Sequence, residues 1–118
     1  MKIAIIGSRN LRVDRLEGFL PKDCTEIVSG GARGIDRSAA EFARANAIRL
    51  TEFLPQYSIY GRAAPILRNR QIVDYADYVL AFWDGKSSGT QWVIRYCEKI
   101  GKPHQVILLP QTERTDRY

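Results

Sequence analysis

The stretch Val28-Ser29-Gly30-Gly31-Ala32-Arg33-Gly34-Ile35-Asp36 joins a short apolar run to a segment with helical periodicity. In a glycine-rich turn between a strand and a helix, the backbone curls tightly and several N–H groups can point at one anion. The positive end of the helix dipole strengthens the attraction. Two similar turns, at 7–9 and 84–90, also follow apolar runs. Three such turns favour a ligand that carries phosphate.

Five short apolar runs predict the strands of a sheet. They lack polar alternation, which is typical of parallel strands covered on both faces, and they span 2–6, 26–29, 48–54, 77–83 and 105–109. Segments with helical periodicity lie between them, at 13–20, 35–47, 65–76 and 90–100. This alternation predicts an α/β fold, a single Rossmann-like three-layer sandwich with a five-stranded, mainly parallel sheet and helices on both faces.

The expected position of a ligand follows from this fold class. In open α/β sheets, ligands bind at the carboxyl ends of the strands, near the point where the strand order reverses. All three glycine turns are expected at that edge of the sheet.

Length and composition place the chain among ordinary globular proteins. Its 118 residues, 45% hydrophobic and 26% charged, suffice for one domain with its own core. We assign the domain to residues 1–110 and expect the polar tail 111–118 to be disordered. No apolar stretch is long enough to span a bilayer, and no cleavage-site pattern follows the N-terminal run. We therefore predict a cytoplasmic protein without membrane association.

Charge and cysteine content narrow the choice of partner. The net charge of +5 suits phosphate ligands and suggests nucleic acid only weakly, because acidic residues interrupt the basic ones. Cys24 and Cys97 are far apart and have no CxxC spacing or partner cluster. We predict no metal site and no disulfide framework.

The predicted ligand site combines the three turns with two residues of the third long helix. Its ligand-binding residues are Gly7, Ser8, Arg9, Gly30, Gly31, Ala32, Arg33, Gly34, Asp36, Arg68, Asn69, Trp83, Asp84, Gly85, Ser88, Gly89 and Thr90. A guanidinium such as that of Arg9 binds phosphate with two parallel hydrogen bonds, and a surface salt bridge is a comparable interpretation. Ser88–Thr90 offer hydroxyls and free N–H groups for helix capping, for phosphate or for both.

Several of these residues have a structural interpretation as well. Asp36 either caps its helix or holds a ribose hydroxyl, and Trp83 either stacks on a base or fills the core. A solvated helix face is the default for Arg68 and Asn69. The turn 30–36 also lacks the Lys-Ser/Thr ending of a P-loop and the spacing of a dinucleotide fingerprint.

The order of the short motifs resembles the SLOG superfamily, and within it the small YspA/YpsA-related group. The resemblance covers Met1 to about Leu109 and rests on Gly7-Ser8-Arg9, 29–36, Tyr60-Gly61-Arg62, Arg68-Asn69, 81–85 and Ser88-Gly89-Thr90. It implies a Rossmann-like sheet, in agreement with the periodicity. That superfamily includes the lonely-guy phosphoribohydrolases, the Smf/DprA DNA-processing proteins and sensor domains for nucleotide-derived ligands. Because relatives often pair, the resemblance also suggests a homodimer.

The sequence departs from the lonely-guy enzymes in a residue of the motif that carries catalysis. The place of the lonely-guy helix arginine is taken by Arg68, and Gly89-Thr90 matches the GT of the motif PGGxGTxxE, but the motif glutamate falls at Val93. A valine cannot transfer a proton or stabilise an oxocarbenium ion. If the chain is an enzyme, the candidate catalytic residues are Arg68 and Asp84, the acid beside the same turn.

Three hypotheses follow. The leading one is a domain that binds or senses a nucleotide-like phosphorylated ligand, derived from NAD or ADP-ribose or a nucleoside monophosphate; no other cofactor is predicted. The first alternative is a nucleotide N-glycosidic hydrolase or transferase. The second is single-stranded DNA binding, which is less favoured because no stripe of basic residues interleaves Tyr57, Tyr60 and Trp83.

Overall fold

The computed structural model describes residues 1–109, and Pro110 with the predicted tail 111–118 lies outside the described residues. The strands are β1 (Lys2–Gly7), β2 (Glu26–Ser29), β3 (Arg49–Glu52), β4 (Tyr78–Trp83) and β5 (His104–Leu108). The helices are α1 (Ile35–Ala45), α2 (Tyr57–Tyr60), α3 (Ala64–Tyr75) and α4 (Ser88–Ile100). Single 3₁₀ turns occupy Leu16–Gly18 and Gly61–Ala63.

The five strands form one parallel sheet with the order β3-β2-β1-β4-β5. The chain first builds outward from β1 through β2 to β3, then returns to the other side of β1 for β4 and β5. The strand order therefore reverses between β1 and β4. The predicted Rossmann-like α/β fold is confirmed.

Helices cover both faces of the sheet, as the apolar runs predict. On one face, α1 and the irregular segment 11–20 pack on a cluster that includes Ile3, Ile5, Ile27, Leu80 and Phe82. On the other face, α3 and α4 bury Ile72, Val73, Val93 and Cys97 against Ala4, Ile6, Val28 and Val79. Neighbouring residues of one strand thus point into different clusters, which explains why the central strands β1 and β4 carry apolar residues at successive buried positions. The edge strands β3 and β5 are more exposed and include polar residues, which differs from the predicted apolar runs.

The predicted helix at 13–20 is wrong. Within that range only Leu16–Gly18 forms a 3₁₀ turn, and Arg15 before it has a non-helical backbone with φ −124° and ψ 73°. The Val13 N–H donates to the Ser38 hydroxyl at 3.2 Å, which satisfies the backbone from outside. Leu11 and Leu16 are each buried and hold an irregular segment against the core. The spacing of the apolar residues in this range therefore does not mark the buried face of a helix.

Smaller differences concern the element ends. The third strand ends at Glu52 and not at residue 54, where Leu54 is 59% exposed and is followed by Pro55, which has no N–H to donate. The short helix α2 was not predicted.

No helix within residues 1–109 has the length and apolarity needed to cross a membrane. This part of the chain also holds no cluster of metal-ligating side chains.

Two glycines allow the start of α1 to approach the end of β1. A Cβ at Gly7 would lie 2.7 Å from both the Ile35 Cβ and the Phe82 carbonyl oxygen, and a Cβ at Gly34 would overlap the backbone of Arg9. Gly34 also has φ 76° and ψ −126°, a conformation open essentially to glycine alone. These close contacts position the first turn of α1 beside the loop after β1.

Candidate functional site

A cavity of about 470 Å³ opens at the carboxyl ends of β1 and β4, where the strand order reverses. It lies between the loop after β1, the start of α1, the middle of α3 and the start of α4. The residues that line it are Ile6, Gly7, Ser8, Arg9, Asn10, Ala32, Asp36, Pro65, Arg68, Asn69, Ile72, Ser87, Ser88, Gly89 and Thr90. Parallel α/β sheets place ligands at this position for topological reasons.

A second cavity of about 340 Å³ adjoins the first and shares three lining residues with it, Arg9, Ala32 and Arg68. Its other lining residues are Gly30, Gly31, Arg33, Leu54 and Pro55. The two cavities together bring thirteen of the seventeen predicted ligand-binding residues to one edge. The remaining four, Gly34, Trp83, Asp84 and Gly85, line neither cavity.

The start of α4 presents uncapped backbone donors to the larger cavity. Ser87 is the N-cap residue, but its side chain makes no capping hydrogen bond, and the first intrahelical bond runs from the Gln91 N–H to the Ser87 carbonyl at 3.1 Å. The N–H groups of Ser88, Gly89 and Thr90 therefore have no partner within the helix. A Cβ at Gly89 would meet no atom within 4 Å, so the helix surface is open at this residue, which lines the cavity. This arrangement suits an anion.

Arg68 is not on a solvated helix face. Its side chain is buried, with 8% of the residue exposed, and Nη1 donates to the Gly30 carbonyl at 2.7 Å and to the Phe53 carbonyl at 3.4 Å. Nε donates to Asn69 Oδ1 at 2.9 Å. Burial lowers the pKa of Arg68, and the nearby negative charge of Asp36 opposes that shift. Arg68 thus links α3 to the glycine turn and still lines both cavities.

The glycine turn holds an anion of its own. Asp36, the second residue of α1, is 8% exposed, and its Oδ2 accepts the Ala32 N–H at 3.1 Å. Burial raises the pKa of Asp36, although the Ala32 N–H and the charge of Arg68 counteract the shift. Because an internal carboxylate already uses this backbone donor, the turn is less suited to phosphate than the start of α4.

Asp84 and its neighbours stabilise the turn before α4. Asp84 Oδ1 accepts the N–H groups of Lys86 at 2.9 Å and Ser87 at 2.8 Å. Burial acts to raise the pKa of Asp84, but these N–H groups, the Ser87 hydroxyl and the Asn10 side chain hold it well below its ordinary value. A carboxylate so strongly ionised does not act as a general acid near neutral pH. Asp84 therefore serves its own turn as an ionised hydrogen-bond acceptor, and its assignment as a catalytic residue stays a prediction.

The other two predicted residues of this loop also have local roles. The Trp83 indole N–H donates to the Ser87 carbonyl at 3.0 Å, which ties the ring to the turn. Gly85 has φ 82°, a conformation that favours glycine. Both residues shape the path into α4.

Val93, which stands where the motif PGGxGTxxE has its glutamate, occupies a fully buried position. Val93 is 0% exposed and packs among the apolar residues between α4 and the sheet. A carboxylate at this position in the same backbone would be buried in the core and not face the cavity. Asp36 is the one carboxylate among the described residues that line the larger cavity.

Five residues that line the larger cavity were not predicted, namely Ile6, Asn10, Pro65, Ile72 and Ser87, and neither were Leu54 and Pro55 of the smaller cavity. Two of them carried a usable signal: Ile72 follows Arg68 by four residues and therefore shares its helix face, and Ser87 is the N-cap residue before Ser88. Asn10 directly follows Arg9 in the same loop. The positions of Ile6 and Pro65 depend on how the sheet and α3 pack.

Comparison with known proteins adds one similarity. No family model and no solved structure matches the chain. The Gene 61 protein of Mycobacterium phage D29 is 37% identical to this chain in an alignment of 83 residues, and the match covers 65% of this chain and 66% of the phage protein. The chain thus spans slightly less than two thirds of that protein's length. Its name states no ligand or activity, and the resemblance to the SLOG superfamily stays a prediction.

Proposed function

We propose that this protein binds a nucleotide-like phosphorylated small molecule, derived from NAD or ADP-ribose or a nucleoside monophosphate, in the cavity between β1 and β4. The observation that supports the proposal is the convergence of Arg9, Arg68 and the uncapped start of α4 on one cavity of about 470 Å³. A volume of this size matches pockets that enclose small-molecule ligands.

The charges around the cavity favour an anion near α4. Arg9 is exposed and makes no ion pair with any residue in 1–109, so its guanidinium is available to a ligand. The start of α4 adds N–H donors, the Ser88 and Thr90 hydroxyls and the positive end of the helix dipole. A phosphate held there would accept charge-assisted hydrogen bonds from Arg9.

Isothermal titration calorimetry tests the proposal with AMP, ADP-ribose and NAD on the wild-type protein and on Arg9→Ala. We expect at least one of these ligands to bind, and Arg9→Ala to weaken that binding by about tenfold, the scale of one charge-assisted hydrogen bond. Arg44→Ala is the matched control, because Arg44 is exposed in the last turn of α1 and its loss changes the net charge equally. Equal affinity of all three proteins, or no binding of any ligand by the wild type, would refute the proposal.

The same samples separate binding from the two alternatives. Release of free base from a bound nucleotide, measured by chromatography, would favour the N-glycosidic hydrolase. A steep fall of affinity for a single-stranded oligonucleotide with added salt would indicate nucleic-acid binding. We expect neither result, because Val93 replaces the motif glutamate and the cavity has the dimensions of a small-molecule site.

A further inference from the structure

Two buried groups of opposite charge lie side by side in the larger cavity without forming an ion pair. Asp36 and Arg68 are each 8% exposed and both line the cavity. Arg68 Nη1 and Asp36 Oδ2 lie 2.5 and 3.0 Å from the same point, the position that a Cβ on Gly30 would take. Yet no nitrogen of Arg68 lies within 4.0 Å of an Asp36 oxygen. The two charged groups are neighbours beside Gly30 that do not pair with each other.

Because both residues line the cavity, a small polar group of a ligand can contact the Asp36 carboxylate on one side and the Arg68 guanidinium on the other. A hydroxyl is suited to this position because it accepts a hydrogen bond from a guanidinium and donates one to a carboxylate. A phosphate oxygen satisfies Arg68 but is repelled by the ionised Asp36. A buried carboxylate with spare acceptor capacity next to a buried guanidinium therefore favours a hydroxylated group.

The protein's own hydrogen bonds leave this capacity free. Asp36 Oδ2 accepts the Ala32 N–H, and Arg68 uses Nε and Nη1 for Asn69, Gly30 and Phe53. Within residues 1–109, Arg68 Nη2 makes none of these hydrogen bonds, and the Ser29 hydroxyl is a second protein group that interacts with the Asp36 carboxylate. A carboxylate accepts about four hydrogen bonds, so Asp36 keeps acceptor capacity. Arg68 Nη2 is not a buried atom without a partner, and both residues line the cavity.

We propose that the Asp36–Arg68 pair binds a sugar hydroxyl of the ligand, so that the ligand class is a ribose phosphate with its hydroxyls towards α1 and its phosphate towards Arg9 and the start of α4. This inference rests on the proposed function and adds an orientation to it. Asp36 becomes a specificity-determining residue that distinguishes ribose from sugars that lack the hydroxyls.

The test compares AMP with 2′,3′-dideoxy-AMP, and ribose 5-phosphate with 2-deoxyribose 5-phosphate, by calorimetry on wild type, Asp36→Asn and Asp14→Asn. The wild type is expected to prefer the hydroxylated member of at least one pair by about tenfold or more, since hydrogen bonds to charged groups contribute this much. Asp36→Asn retains a side-chain oxygen for the Ala32 N–H, and we expect it to reduce the preference to less than about threefold. Asp14→Asn, which removes an exposed carboxylate with 82% of its side chain accessible, should leave the preference unchanged.

The outcomes separate this inference from the proposed function. If the wild type binds both members of each pair equally tightly, or if Asp36→Asn retains the full preference, the inference is wrong while the proposed function stands. If no member of either pair binds, the inference is wrong, and the titrations of ADP-ribose and NAD decide the proposed function. The wild-type comparison decides the matter even if Asp36→Asn fails to fold.

Discussion

Asp36 combines a buried charge with a position in the cavity, and this combination has a cost in stability. Burial raises the pKa of Asp36 in the folded protein above its value in the unfolded chain. The folded state then binds more protons than the unfolded state between the two pKa values, so this residue makes the free energy of unfolding fall as the pH rises through that window. Ligand-binding residues often carry such a cost.

Asp36→Asn is therefore expected to be at least as stable as the wild type at pH 7, and its stability relative to wild type should rise from pH 4 to pH 7. The physical reason is that asparagine carries no charge to bury and keeps the acceptor for the Ala32 N–H. Urea denaturation at several pH values measures the difference, with Asp14→Asn as the exposed control. A variant that loses stability as the pH rises towards 7, relative to wild type, would contradict this explanation.

The pKa shift of Asp84 has the opposite effect to that of Asp36 on how stability depends on pH. Backbone N–H groups hold its pKa well below the ordinary value despite partial burial, so its contribution to stability is present above the unfolded pKa and is lost as the pH falls through the folded pKa. We expect Asp84→Ala to lower the free energy of unfolding at pH 7 by about 1–2 kcal/mol, the range of a lost capping side chain. The deficit should shrink below pH 4.

Ligand affinity provides the complementary measurement for Asp84. Because Asp84 lines neither cavity, the folded Asp84→Ala protein should bind AMP within about twofold of the wild type, the change expected away from a contact. A large loss of affinity in a fully folded variant would return Asp84 to the site.

At the scale of secondary-structure elements, the site depends on how closely α1 approaches β1. We expect Gly7→Ala to destabilise the protein by about 1–3 kcal/mol, the usual cost of overpacking, because the new methyl group would collide with Ile35 and the Phe82 carbonyl. Chemical denaturation measures the change. Gly18→Ala is the control, since a Cβ there meets no atom within 4 Å and its effect should be small.

The start of α4 allows binding to be separated from folding. Gly89→Ala should leave the fold intact or stabilise it by up to about 1 kcal/mol, because alanine is the better helix former and the space is open. Because Gly89 lines the larger cavity, we expect the added methyl group to narrow the cavity there and to weaken the binding of AMP. A variant with unchanged affinity would show that the ligand does not approach this helix end.

Elements with strong local signals were predicted well, and those defined by tertiary contacts were not. The strand Glu26–Ser29 and the start of α1 at Ile35 agree with the sequence-based assignment, because a continuous apolar run and a glycine turn mark them. The segment 13–20 was assigned wrongly because its apolar residues are anchored singly and its backbone is partly satisfied by Ser38. Periodicity alone cannot distinguish apolar residues on one face of a helix from apolar residues that are buried singly in an irregular segment.

At the scale of the whole molecule, the parallel order β3-β2-β1-β4-β5 brings distant segments to one sheet edge. A single ligand in the larger cavity would contact the loop 8–10, the turn before α1 and the start of α4 together. We expect AMP at saturating concentration to slow amide hydrogen exchange in all three segments. Amides near Asp77, at the opposite end of β4, should be unaffected. Protection of one segment alone would contradict a common site.

The sequence by itself determined the fold class and most of the residues that line the two cavities at the carboxyl edge of the sheet. It did so because apolar runs and glycine turns are local signals, and because parallel strands with helical crossovers leave few topologies. The tertiary structure alone decided that Arg68 is buried against Gly30 and Phe53, that Asp36 occupies a donor of the glycine turn and that Asp84 faces its own loop. These roles depend on burial and on contacts between residues far apart in the chain, since the same side chain is a solvated charge or a binding group according to its neighbours.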